Sequence, residues 1–134
     1  MIFIGISRSF SLINEEQYNT IGAFWDEVAE LYGLENLIGL GYNWRYGKMN
    51  YAIGLKAGEI PGANVRVSIP DGEWVTKKGR TEELKALYDE IYLGGGLLYE
   101  TEEFFECGDC VIRYVSQQQP KLNPPKAAQI RAIS

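Results

Sequence analysis

From Ile38 to Leu55 the chain alternates in a way that leaves one local solution. Ile38, Leu40, Tyr42, Trp44 and Tyr46 are separated by Gly39, Gly41, Asn43 and Arg45, a period of two over nine residues. Successive side chains on a strand point to opposite faces, so this run predicts a strand with a large-residue face and a small-residue face. Gly47-Lys48 predicts a tight turn, after which Met49, Tyr51, Ile53 and Leu55 alternate again and complete a hairpin. Its large face needs covering, and the segment ahead of it supplies apolar surface. Ile2, Ile4, Ile6, Phe10 and Leu12 share one parity of a β-rich run, and Ile21, Phe24, Val28 and Leu31 recur at helical spacing beside Trp25 and Tyr32. Asp26, Glu27 and Glu30 take the other side of that helix, and Gly33 is expected to end it.

The same order of elements then returns. A connection with Pro61 and Gly62 leads to Val65, Val67 and Ile69, a turn at Pro70-Asp71-Gly72, and a short strand from Glu73 to Lys77. Thr81 is the expected helix N-cap, with Glu82 and Glu83 in the first turn and Leu84, Leu87, Tyr88 and Ile91 as the apolar stripe. Gly94-Gly95-Gly96 closes the helix, and a last hairpin is expected from Leu98 to Cys107 and from Cys110 to Val115, turned by Gly108-Asp109. The expected fold class is α+β, with duplicated strand-helix-strand-strand units at residues 1–57 and 64–115. These would form one antiparallel sheet with two helices on one face and a groove between them. The repeat lies in the order of elements, not in residue identities. Residues 1–115 have the size of a single domain. Residues 116–134, with Gln117-Gln118-Gln119, Pro120, Pro124 and Pro125, read as an extended or mobile tail.

Charge narrows the choice of partner. The net charge is −5, and the tail holds Lys121, Lys126 and Arg131 without an acid, which leaves 10 basic and 18 acidic residues before it, or −8. A body this acidic repels nucleic acid and attracts cations, so no direct nucleic-acid contact is expected. Met1 to Ile6 is apolar but short, lacks a basic leader and meets Ser7-Arg8-Ser9 at once, so it reads as a buried strand and not as a signal peptide. No apolar run reaches membrane-spanning length. The expected compartment is the cytoplasm, where the two cysteines stay reduced.

Histidine is absent, which removes the usual general base near neutral pH and the commonest zinc ligand. No glycine-rich loop follows a strand and opens a helix, so neither a cofactor nor a metal is expected. Cys107-Gly108-Asp109-Cys110 has zinc-like spacing but lacks a second ligand pair, and it straddles a hairpin turn where a redox pair needs a helix N-terminus. Facing hairpin positions lie about 5.5 Å apart, so a disulfide is open to this pair, and two reduced structural thiols are the expectation. Tyr42, Trp44, Tyr46, Met49 and Tyr51 read either as core or as the wall of a ligand site. Glu106 has two readings as well. It is a solvent-facing member of the acidic run Glu100, Glu102 and Glu103, or a carboxylate set among aromatics next to Phe104 and Phe105.

Several stretches resemble the gyrase-inhibitor-like (GyrI-like) family, the effector-binding domain of AraC- and MerR-type multidrug-responsive regulators. Val65-Arg66-Val67-Ser68-Ile69-Pro70-Asp71-Gly72-Glu73-Trp74 resembles the family's strand followed by Ile-Pro-x-Gly-x-aromatic. Lys78-Gly79-Arg80 with the helix bearing Tyr88 and Tyr92, Phe105-Glu106, Ile21 with Phe24-Trp25, and Ile4-Gly5-Ile6-Ser7-Arg8 resemble further family stretches. The likeness spans about residues 2–115. Cys107-Gly108 stands where the family has x-Tyr, and Val111 to Val115 lacks the usual Trp and closing Pro. No helix-turn-helix precedes Met1, so the resemblance points to a stand-alone binder. It implies a site for lipophilic, planar, organic cations, with Glu106 as counter-charge and Trp25, Tyr42, Tyr46, Tyr51, Trp74, Phe104 and Tyr114 as its walls. On this reading the chain is not an enzyme and takes no cofactor; its partners are organic cations, with a regulatory protein or a second copy also open. The alternatives implied are hydrolysis of cyclopropane-bearing toxins and a gyrase-inhibitor-like interaction.

Overall fold

The computed structural model describes residues 1–116. Seven strands, β1 (Ile2–Ser11), β2 (Leu37–Arg45), β3 (Lys48–Leu55), β4 (Val65–Ser68), β5 (Val75–Arg80), β6 (Leu97–Phe104) and β7 (Asp109–Ser116), join two helices, α1 (Gln17–Tyr32) and α2 (Leu84–Tyr92). The class is α+β. Every strand pairing is antiparallel, in the order β4-β1-β3-β2-β6-β7-β5. The early strand β2 therefore lies beside the late strand β6 at the centre of the sheet, with Gly39 opposite Glu102 and Gly41 opposite Glu100. Gln117 to Ser134, which carry most of the expected tail, lie outside the described residues.

The β2–β3 hairpin forms where expected, but its turn is Tyr46-Gly47, one residue earlier. Both have positive φ, 52° and 72°, the geometry of a type I′ turn, whose twist suits a hairpin. Asn43 also has positive φ, 59°, and β2 carries one more residue than β3 between the pairs Tyr42–Asn50 and Arg45–Lys48. This bulge breaks the sequence alternation, because an extra residue rotates everything after it to the other face. Tyr42 packs with Phe3, Leu40 and Ile69 on one side, while Trp44 packs with Tyr88 and Ile112 on the other.

Helix α1 ends at Gly33, with φ of 87° and its N–H donated to the Ala29 carbonyl at 2.8 Å. Phe24, Trp25 and Val28 bury its apolar stripe against Phe10, Met49, Tyr51 and Ile53. Helix α2 is entered through a 3-10 turn at Thr81–Glu83, so its N-cap is Glu83, and Thr81 does not cap it. Tyr88 and Ile91 pack on Leu97 and Ile112. The strand expected to start at Glu73 starts instead at Val75 and continues to Arg80, because Gly79 and Arg80 pair with Cys110 and Asp109.

The last hairpin departs most from expectation. Strand β6 stops at Phe104, which pairs with Cys110. Phe105 to Gly108 make the connection, held by Phe105 N–H to the Asp109 carbonyl at 3.0 Å and Gly108 N–H to the Phe105 carbonyl at 2.9 Å, with Gly108 at φ 94°. Glu106 and Cys107 thus belong to a turn and not to a strand. The cysteines do not face each other across the hairpin: Cys107 is exposed, Cys110 is buried, and both are free. Among the described residues, no helix is long and apolar enough to cross a membrane.

Candidate functional site

On the helix-bearing side of the sheet lies a cavity of about 740 Å³, a size at which small-molecule sites occur (roughly 300–1,000 Å³). Helix α1 lines it with Gln17, Tyr18, Ile21 and Trp25, α2 with Tyr88 and Tyr92, and the strands with Met49, Tyr51, Glu100, Glu102 and Phe104. Phe104 stands edge-on to Trp25, with ring centroids 4.9 Å apart at 86°, and Tyr88 stacks on Tyr92 at 5.7 Å. These rings form walls with both faces and edges available to an aromatic ligand.

Two acids sit on the floor. Glu100, Glu102 and Phe104 alternate along β6, so all three project to the same face. Their neighbours across the central pairing are glycines, and this makes the burial feasible. A Cβ at Gly41 would lie 2.5 Å from Glu100 Oε1, and one at Gly39 would overlap the Tyr51 hydroxyl. Glu100 and Glu102 are only 3% and 4% exposed, a rare position for carboxylates without a basic partner. Among the described residues no lysine or arginine forms an ion pair with either.

Glu102 is held by hydroxyls. Tyr51 Oη donates to its Oε1 and Tyr88 Oη to its Oε2 at 2.6 Å, while Trp25 Nε1–H donates to the Tyr51 oxygen at 2.9 Å. Glu100 Oε2 is buried and has no hydrogen-bond partner among the described residues. Burial, with the neighbouring charge of Glu102, pushes the Glu100 carboxyl well above the usual carboxylate range. Burial also raises Glu102, and the Tyr51 and Tyr88 hydroxyls hold that rise back. Glu100 therefore holds a proton more tightly than Glu102, whose charged form two hydroxyls favour. Burial first and Asp89 second push Tyr18 up to about 12, and burial raises Tyr51, Tyr88 and Tyr92 as well, so all four remain neutral hydroxyls.

Of the residues singled out in the sequence, Trp25, Tyr51 and Phe104 come together in this cavity. The other five do not. Glu106 is exposed in the turn after β6, its N–H donated to Glu35 Oε2 at 2.7 Å, because the strand ends two residues before it. Tyr46 is 93% exposed at the hairpin tip. The bulge leaves Tyr42 on the opposite face of the sheet, where its hydroxyl bonds Ser7 Oγ at 2.7 Å. Trp74 is on that face too, with Nε1–H donated to the Pro70 carbonyl at 3.3 Å. Tyr114 packs against the Tyr88–Ile112 cluster and does not line the cavity.

Sequence reasoning passed over Tyr18, Tyr88, Tyr92, Glu100 and Glu102. A signal for the acids was present: counting back by twos from Phe104 gives Glu102 and Glu100, and Gly39 and Gly41 are the small residues such acids need opposite them. The same geometry makes Gly39→Ala costly. The added methyl has to displace the Tyr51 hydroxyl from Glu102, and a loss of about 1–3 kcal/mol in stability is expected by urea denaturation. No protein-family model, curated protein or solved structure matches the chain.

Proposed function

We propose that this protein is a binding module for lipophilic, planar, cationic small molecules. The reading rests on one observation: two buried acids share an aromatic cavity, and among the described residues no basic side chain is paired to them. The order β1-α1-β2-β3 followed by β5-α2-β6-β7 supports duplicated units of GyrI-like type, with the ligand in the groove between their helices. An organic cation loses hydration on entering such a space, and a carboxylate already stripped of water offsets that cost. Each ring presented to the charge adds about 0.5–2 kcal/mol, and burial of a flat aromatic body contributes in proportion to its area. Glu102 supplies the counter-charge in place of Glu106.

The test is a titration of a planar cationic dye and a neutral isostere, followed by tryptophan quenching. In the double variant Glu100→Gln, Glu102→Gln the cation is expected to lose affinity by about tenfold or more, while the neutral compound changes little. Glu106→Gln is expected to behave as wild type. An unchanged cation affinity in the double variant would remove the counter-charge from the explanation.

A second reading, hydrolysis of a strained cyclopropane-bearing compound, draws on a different feature. An acid that keeps its proton lies beside a charged one in a shielded cavity, the pairing used for general acid–base chemistry. Glu102 would take a proton from water as the water oxygen bonds to a ring carbon, the strained C–C bond would break with its electron pair passing to the released carbon, and Glu100 would protonate that carbon. Turnover of a cyclopropane-bearing electrophile that disappears in both single glutamine variants is the result this reading requires.

A further inference from the structure

We infer that the cavity selects cations that carry N–H at their charged end, such as an amidinium, a guanidinium or a protonated amine, over permanently alkylated ones of the same shape. The inference rests on the cation-binding reading and narrows its ligand class. The hydrogen-bonding capacity around the two acids is unevenly used. Both oxygens of Glu102 already accept hydroxyls, from Tyr51 and from Tyr88, so Glu102 offers an incoming cation its field. Those two hydroxyls donate to Glu102, and Tyr88 acts on Glu100 only as a smaller influence against its burial. Among the described residues Glu100 Oε2 is left buried without a partner, although the side chain is 97% enclosed and lines the cavity. Gln17 Oε1, near the start of α1, is another buried cavity-lining acceptor without a donor.

A buried acceptor with no donor is costly, and native proteins rarely leave one without a reason. An N–H of a cationic head group would take the place of the proton that Glu100 holds and give its carboxylate a charge-assisted hydrogen bond, of the stronger class. A tetraalkylammonium head group brings the same charge but no donor, and its methyl groups would keep Glu100 unsatisfied. The aromatic walls attract both charges and give no advantage to the N–H donor, since aromatic faces also take quaternary ammonium groups well. Discrimination therefore falls on Glu100.

The experiment compares two probes with one planar aromatic core, a benzamidinium-type head group against a trimethylammonium head group, titrated into the full chain by calorimetry. The amidinium is expected to bind about tenfold tighter or more. Glu100→Met, which removes the acceptor, is expected to bring the two within about twofold. Glu100→Gln, which keeps a neutral acceptor and is the gentler change, is expected to leave an intermediate preference. Equal binding of both probes by the wild type overturns the inference while leaving the cation-binding reading intact. A preference unchanged in both variants also overturns it, since the donor is then met elsewhere. Binding of neither probe ends both.

Discussion

Replacing Glu100 with glutamine is expected to stabilise the ligand-free protein at pH 7 by about 1–3 kcal/mol, because the fold holds on Glu100 a proton that the unfolded chain releases, at about 1.4 kcal/mol for each pH unit between the two pKa values. The wild-type pair is kept out of water without a cation to offset it, and glutamine has the same length with no charge to desolvate. The effect should depend on pH with a definite sign. The folded protein holds Glu100 protonated well above its ordinary value of 4.5, whereas the unfolded chain releases that proton near 4.5. Between those two values the native state binds more protons than the unfolded one, so wild-type stability falls as pH rises. Below about pH 4.5 both states are protonated and the penalty vanishes. This is the reverse of a salt-bridged acid, which loses stability as pH falls. Urea denaturation at intervals from about pH 4 to 9 should show the wild type losing stability relative to the Glu100→Gln variant as pH rises across that window.

Tyr51→Phe should have a comparably large effect of opposite direction. The Tyr51 hydroxyl is the link between Trp25 and Glu102, donating to the acid and accepting from the indole. Its removal leaves a buried N–H and a buried carboxylate oxygen unpaired at once, each costing about 1–3 kcal/mol. The net loss expected in denaturation is about 2–4 kcal/mol. Glu102 also loses one of the two hydroxyls that hold its carboxyl down, so its proton affinity rises and its counter-charge weakens. The cation affinity of Tyr51→Phe should therefore drop at pH 7 and recover on moving to higher pH. A variant that merely unfolded would show no such recovery.

The parts of the structure that could be read in the sequence are those set by local rules. The helix over Ile21–Leu31 stops at Gly33 because a residue with positive φ is needed there, and glycine takes it without strain. The β2–β3 hairpin follows from alternation alone. What could not be read is where alternation is interrupted. Asn43 looks like any small-face residue, yet its left-handed backbone shifts Trp44 to the helix side and leaves Tyr42 on the far one. Phe104-Phe105-Glu106 reads as continuous strand, but pairing with β7 runs out at Phe104 and a turn takes the rest. Because the strand ends two residues short of Glu106, that acid lies in solvent, and the acids on the cavity floor are Glu100 and Glu102. The pairing of β2 with β6 is the decisive long-range fact. No local pattern in either segment announces that Gly39 and Gly41 will lie opposite Glu102 and Glu100.

The central claim is that a cation takes the place of a proton in this cavity. The titratable and charged groups that line the cavity with Glu100 are Glu102 on its own strand, Tyr51 on β3, Tyr18 and Asp26 on α1, Glu15 ahead of α1, Glu82 in the turn before α2, and Tyr88, Tyr92 and Lys85 on α2; Lys85 pairs with Glu15 and Asp89 and not with Glu100. Calorimetric titration of a planar amidinium at pH 7, repeated in two buffers of different ionisation heat, reads the proton directly. Binding should release protons to the buffer, up to about one per ligand, since an adjacent positive charge lowers a carboxyl pKa. That release should disappear in the Glu100→Gln, Glu102→Gln protein. Proton uptake on binding, or full affinity with no proton exchange in either protein, would contradict it.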